Sequence, residues 1–448
     1  MPQRLAMNTQ NPRDGAMLDQ LQKETFAYFL HESNSENGLV LDKTKKDWPA
    51  SIAATGLALA AYPIGVERSF LTREEAIKRT LATLRFFSNS RQSTETDATG
   101  YRGFYYHFLD METGRRAWKC ELSTIDSTLL LAGALTAAMY FDRDTPDEHE
   151  VRELGDALYR RADWQWAQDE GLTVSHGWKP ETGFLEYRWQ GYNEALLLYV
   201  LGLGSPTYPL AGESYPAWSS SYEWKKIYDI EFLYAGPLFI HQFSHLWLDF
   251  RGIQDAFMRE KGIDYFENSR RATLIQQQYA IQNPHQFAHY GECCWGITAS
   301  DGPGPVTRRV HGIEREFFGY VARGAPYGPD DGTIAPWAVV ASLPFAPEIV
   351  LPTIHRLNEL RLRETNPYGF KATFNPTYPE KGGRPYGWVT PWHYGLNQGP
   401  IVMMIENYRT GLLWKLMQRC SYLVKGLHRA GFRNGWLAEH AHSPHSKE

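Results

Sequence analysis

The sequence predicts an all-α fold, a barrel of six inner helices wrapped by an outer ring with long rim loops, and three observations predict it. Six segments are apolar or small nearly all round: SIAATGLALAAY, LLLAGALTAAMY, ALLLYVLGLG, PLFIHQF, IAPWAVVASL and GPIVMMI. Helices of this kind have to be buried on most sides. Each follows a helix-start signal, at Ser51, Ser123, Asn193, Gly236-Pro237, Thr333 to Pro336, and Asn397 to Pro400. Between most of them lies an amphipathic stretch long enough to return the chain to the same end.

The outer elements follow in order. Ile77, Leu81, Leu84 and Phe87 keep the spacing of one helix face behind a Thr72-x-x-Glu75 capping box. Val151, Leu154, Leu158 and Ala162 repeat that pattern, as do Ile349, Val350, Ile354 and Leu357 behind Pro347. The weakest outer helix falls at Tyr222 to Lys226. No repeat, low-complexity run or Pro/Ser linker divides the chain, so residues 1–448 read as one catalytic domain, with a core over about 18–430 and short flexible termini.

Composition narrows the function. A chain of 448 residues with net charge -5 and 43% apolar residues buries a large core and is no polycation, which argues against a nucleic-acid partner. No stretch approaches the ~20 apolar residues of a membrane span. The opening MPQRLAMNTQNPRDGAML has no apolar run behind a basic start, so a cytoplasmic location is expected, or an exported one if a leader has been removed. Cys120, Cys293, Cys294 and Cys420 are too irregularly spaced for a disulfide framework or a zinc site and read as free thiols. The 14% aromatic share suits both stacking on sugar faces and filling a large core.

In such a barrel the inner helices start at one rim, so residues at those starts converge. Three carboxyl groups lie there: Glu194 in Gly191-Tyr192-Asn193-Glu194, Asp126 in Ser123-Thr124-Ile125-Asp126, and Glu121 just before it. Hydrolysis of a glycosidic bond needs one protonated and one ionised carboxyl group. Helix capping explains Asp126 equally well, and the helix dipole favours a Glu in a first turn. A general acid at Glu194 requires burial among Tyr187, Trp189 and Tyr192 to raise its pKa.

Other polar features point to the same rim. His241 and His245, four apart, share a helix face but have no third partner nearby, so no metal is expected; they read as core or sugar-binding histidines. The polar, Gly/Pro-rich connection from Asn283 to Asp331 carries His289, Tyr290, Glu292, Trp295 and Asp301, then Arg308, Arg309, His311, Arg315 and Arg323; it reads as a solvated loop or as one closing over an oligosaccharide. Trp388, Trp392 and Gln398, leading into the last inner helix, combine rings and amides suited to sugars or to a core.

Several motifs taken together resemble the glycoamylase-like family, which includes bacterial endo-β-1,2-glucanases and is related to the cyclising domain of cyclic β-1,2-glucan synthases. They are the string from Ser123 to Leu135, Gly191-Tyr-Asn-Glu-Ala, Gly236-Pro-Leu-Phe-Ile-His-Gln-Phe-Ser-His, Tyr290-Gly-Glu, Ser300-Asp-Gly-Pro, Asp331-Gly-Thr-Ile-Ala-Pro, Ser342-Leu-Pro-Phe-Ala-Pro-Glu and Gln398-Gly-Pro-Ile. The resemblance runs in order from about Leu18 to Leu413. It implies an (α/α)6 barrel and hydrolysis, or transfer, at β-1,2-glucosidic bonds without a cofactor. It places the catalytic acid on Glu194 and its partner on Glu121 or Asp126. The expected glucan contacts are Trp178, Trp189, Trp295, Trp388 and Trp392, with His241, Gln242, Arg251 and Arg315 as donors. Cys293-Cys294 and Trp337 depart from the family pattern near the expected sugar path. Two other classes of function stay open: an epimerase or isomerase using His241 and His245, and a glucan-binding protein without turnover.

Overall fold

The computed structural model describes residues 11–379 and 386–440. The termini expected to be flexible fall mainly at residues 1–10 and 441–448, outside the described residues. Helices dominate. In chain order they are α1 Pro12–His31, α2 Ile52–Glu67, α3 Arg73–Asn89, α4 Thr124–Tyr140, α5 Pro146–Arg161, α6 Leu196–Gly204, α7 Ser214–Ser219, α8 Ala256–Lys261, α9 Tyr265–Gln282, α10 Pro336–Ala341, α11 Pro347–Glu359, α12 Gly395–Arg409, α13 Leu412–Gln418, α14 Ser421–Arg429 and α15 Leu437–His440.

Five of the six all-round apolar segments form buried helices, α2, α4, α6, α10 and α12. They are neighbours in the order α10, α12, α2, α4, α6, and the amphipathic helices lie behind them: α1 on α12, α3 and α5 beside α2 and α4, α14 on α6, α11 on α10. The sixth segment departs from expectation: around PLFIHQF the chain makes two tight 3-10 turns, Leu238–His241 and Phe243–Leu246. The outer helix expected at Tyr222 to Lys226 is also absent; Trp224–Ile227 is a strand, hairpinned with Ile230–Leu233.

The α2–α4 contact shows why small residues recur in the inner segments. A Cβ on Gly133 would lie 2.0 Å from the Gly56 carbonyl oxygen, and one on Gly56 would lie 2.4 Å from that of Leu129. The two backbones touch, which only glycine permits. One continuous apolar cluster, from Met17 to Leu437, fills the space between these helices.

The connections are not purely helical. Short antiparallel ladders stiffen them, which a search for helical periodicity cannot detect. The largest joins five strands in the order β1 Gly100–Tyr101, β2 Phe104–Tyr106, β3 Leu122–Ser123, β4 Gly177–Lys179 and β5 Gly183–Phe184. Another pairs β6 Ala299–Ser300 with β7 Val321–Ala322. Both ladders stand at the amino ends of the buried helices. Among the described residues no helix is long and apolar enough to cross a membrane.

Candidate active site

The amino ends of α4, α6, α10 and α12 surround a cavity of about 590 Å³, within the size range of small-molecule sites. Five carboxyl groups line it, Asp42, Glu121, Asp126, Glu194 and Asp301, with Lys43 and His107 as the cations. Phe239, Phe243, Trp337, Leu129 and Leu396 supply apolar wall. No group of three or more His, Cys, Asp or Glu among the described residues is arranged to hold a metal ion.

Glu194 lies in the turn before α6, two residues ahead of the helix and not in its first turn. Burial is the main influence on its carboxyl group; a backbone hydrogen bond opposes it, the Asp126 charge adds to it, and the pKa is pushed up to about 7. Glu194 is thus poised to hold a proton near neutrality. The rings expected to bury it divide: Trp189 lines the cavity and Tyr192 packs into the core, whereas Tyr187 is largely exposed.

Asp126 satisfies both readings made of it. The Ser123 hydroxyl oxygen accepts from the Asp126 N–H at 3.2 Å, which caps α4, and the same hydroxyl donates to the Asp126 carboxylate at 2.5 Å. The carboxylate nevertheless lines the cavity. Glu121 precedes β3 and is bound to a residue that the motifs did not mark, His107. Tyr106 pairs with Leu122 across β2 and β3, so the next residue out, His107, faces Glu121. The His107 N–H donates to the Glu121 carbonyl at 3.0 Å, and its Nδ1 meets the Glu121 carboxylate at 2.8 Å. Its Nε2 lies 3.7 Å from Asp126. Burial disfavours the imidazolium, but Asp126 and Glu121 outweigh it and raise the His107 pKa to about 9. In return, although burial pushes the Glu121 carboxyl up, the His107 contact prevails and holds it below its ordinary value.

The remaining walls add further polar groups. Trp189 stacks on His176 with centroids 3.8 Å apart and donates its indole N–H to Thr124 at 3.0 Å. Asp301, just after β6, accepts from Tyr394 at 3.1 Å and Thr390 at 3.3 Å. Lys43 donates to the Tyr394 hydroxyl at 3.2 Å. Tyr320, just before β7, stands in the cavity with 69% of its surface open. Desolvation and the charges of Asp42, Glu194, Asp126 and Asp301 push its phenol up to about 12, so it remains a donor. A buried ion pair holds this wall: Arg323 donates to both Asp331 oxygens at 2.8 Å and to the carbonyls of Ser300, Phe318 and Gly319.

Of the residues read from the sequence, Glu194, Glu121, Asp126, Trp189 and Asp301 meet in this cavity. The others do not line it. His241, Gln242 and His245 are core: His241 Nε2 faces the Ala235 carbonyl, Gln242 donates to Ala338 and Ser342, and His245 Nε2 faces the Ser269 hydroxyl. Burial drives both imidazoles well below their ordinary pKa, to about 4 and about 3, so the pair named for an epimerase stays neutral and enclosed. Arg251 pairs with Asp249 and lies over the Trp414 ring. On the long connection, Tyr290 donates to Asp330, Trp295 donates to Thr353, Glu292 accepts through its carbonyl from Gln277, and Arg315 sits over Phe287. His289 is a left-handed turn residue at φ 65°. Arg308 lies over Tyr378, and His311 occupies a hairpin turn. Trp178 packs on Tyr101 and Trp166. Trp388 belongs to a two-residue ladder with Asn375, Trp392 lies two residues before the cavity's Tyr394, and Gln398 is buried. Of the two family departures, Trp337 lines the cavity and Cys293-Cys294 does not.

A largely helical chain whose helix starts converge on a ring-lined cavity with several carboxyl groups carries the residue types that cutting a glycosidic bond requires. A family model described as "Glycoamylase: Putative glucoamylase" matches residues 186–421, and the chain belongs to that family. A "putative glucoamylase" from Bacteroides uniformis is 33% identical, with a TM-score of 0.83 over 95% of this chain and 98% of that one. An endo-β-1,2-glucanase from Chitinophaga pinensis, solved with sophorotriose and glucose, is 26% identical at a TM-score of 0.83, covering 95% of this chain and 99% of that one. An exo β-1,2-glucooligosaccharide sophorohydrolase from Parabacteroides distasonis is 28% identical over 95% of this chain, which spans 59% of that protein.

Proposed function

We propose that this protein is a glycoside hydrolase that cleaves β-1,2-glucosidic bonds in linear β-1,2-glucan or its oligosaccharides, with Glu194 as general acid and Asp126 as its ionised partner. The observation that carries the reading is the contrast between carboxyl groups in one cavity: Glu194 pushed up to about 7, Glu121 held down by His107. One group that keeps its proton and neighbours that stay charged are the requirement for protonating a leaving oxygen while water or the sugar's C1 is engaged from the other side. Asp126 is chosen over Glu121 because its charge is the one felt at Glu194, whereas Glu121 is committed to His107. Glu121 with His107 then fixes the charge state of that wall. The frame we assign is an (α/α)6 barrel acting as one domain, in which the two 3-10 turns take the place of the sixth inner helix. The glucan substrate is argued from the named relatives together with a cavity that mixes ring faces with hydroxyl, amide and carboxylate partners.

The test is to incubate the protein, and separately Glu194→Gln, with linear β-1,2-glucan and to follow product size. Shorter linear products are expected from the parent and a loss of about 10²–10⁴-fold in kcat from the variant. Larger or cyclic products without new reducing ends would replace hydrolysis by transfer. Unchanged glucan would refute the substrate.

A further inference from the structure

Beyond the carboxylates, the geometry points to a second recognition element: we propose that Trp118 is a sugar-stacking subsite at the mouth of the cavity, binding a glucosyl unit of the chain further along from the bond that is cut. The inference rests on the β-1,2-glucan reading above.

Trp118 lines the cavity and leaves 56% of its surface exposed. One exposed ring is unremarkable in itself. What sets it apart is how its turn is held: Trp118 and Lys119 are consecutive residues in the left-handed region, at φ 52° and 53°, as Asp169–Glu170 and Tyr228–Asp229 also are, but this turn is fixed by a buried arginine. That turn is clamped from below by Arg116, whose side chain is 1% exposed. Its Nε donates to the Cys120 carbonyl at 2.6 Å, its Nη2 to the Lys119 carbonyl at 2.9 Å, and its Nη1 to Glu181 at 2.7 Å. The Arg116 guanidinium also lies over the Tyr106 ring at 4.6 Å. An unfavourable conformation held by a buried arginine presents the indole outward.

The rings around Trp118 act as its support. Trp48 meets it at 4.5 Å and 69°, Phe108 at 5.2 Å and 57°, so neither stacks parallel on it. Trp48 is already committed: Lys43 and Lys45 lie over its ring at 4.1 and 4.3 Å, and its N–H donates to Asp42 at 3.0 Å. The Trp118 N–H, in contrast, has no partner among the described residues. Phe108 in turn stacks on His107 at 4.0 Å and 11°, and His107 holds Glu121. Trp118 is therefore one ring removed from the imidazole that faces two of the carboxylates. An open indole face beside a free N–H matches a pyranose, which has an apolar C–H face and hydroxyls at its edge.

The experiment measures kcat and KM for the parent, Trp118→Ala and Trp118→Phe on β-1,2-glucooligosaccharides of increasing length. It also measures calorimetric binding of the same sugars to Glu194→Gln with and without Trp118→Ala. Trp118→Ala is expected to weaken binding and raise KM by about ten-fold, more for longer chains, with the loss in KM rather than kcat. Trp118→Phe, which keeps a ring on Trp48, should recover most of it. Equal KM and equal affinity at every length would overturn the subsite while leaving the hydrolase reading intact. A parent that leaves β-1,2-glucan uncut overturns the reading itself, and with it the sugar named for Trp118.

Discussion

His107 and Glu194 both make the folded state less stable as pH rises, because both pKa values are raised, but they do so in different pH windows. His107 is raised in the folded protein to about 9, so its contribution to stability is complete below its unfolded value of roughly 6.5 and is lost as pH rises through about 9. Thermal unfolding from pH 6 to 10 should show this decline in the parent, and His107→Gln should flatten it. Glu194 is a carboxyl group raised to about 7, so the folded state is penalised as pH climbs from the unfolded value of roughly 4.5 to 7 and stays so above it. Glu194→Gln should therefore be more stable than the parent above pH 7, by at most about 3 kcal/mol, while losing activity. A variant equally stable at pH 5 and pH 8 relative to the parent would show that the carboxyl group is not raised. Neither His107 nor its bond to Glu121 could be read from the sequence. The contact depends on the register between β2 and β3, and two- or three-residue ladders leave no alternation long enough to fix a register.

At the scale of elements, the apolar stretches and their capping residues were the legible part. Ser51, Ser123 and Thr72 cap α2, α4 and α3 as their spacing suggested, although the Glu75 carboxylate turns to Arg79 instead of closing the capping box. The segment PLFIHQF misled because burial without periodicity fits a helix or any other enclosed conformation, and here the chain winds into 3-10 turns. Two predictions belong at this scale. Gly133→Ala forces a methyl group into the Gly56 carbonyl and should cost about 3 kcal/mol in a denaturant titration; an unchanged midpoint would mean that α2 and α4 do not touch there. Arg323→Met strands Asp331 in a fully buried place, where losing a partner costs about 3–5 kcal/mol. Because Arg323 also ties down Phe318 and Gly319, the same variant should impair catalysis through Tyr320. Full activity in folded Arg323→Met would separate that wall from the site.

Over the whole molecule, the amino ends of the buried helices converge, and their partial positive charges point into a cavity crowded with carboxylates. This is why Glu194 meets Glu121 and Asp126, which lie close to each other but far from it in the chain. On the long connection Asp301 reaches the cavity, while most of the other residues singled out there lie outside it for a physical reason. Its rings and arginines found partners within the protein, Tyr290 on Asp330, Trp295 on Thr353, Arg323 on Asp331, and only Ala299 to Asp301 and Tyr320 reach the cavity. Residue type alone cannot separate a ring that packs from a ring that binds. The measurement that bears most directly on the whole account is kcat/KM for linear β-1,2-glucan as a function of pH. With Glu194 as the acid it should fall as pH rises through about 7 while new reducing ends accumulate below that value. A rate that stays level up to pH 9, or a glucan that releases no reducing ends at any pH, would contradict it.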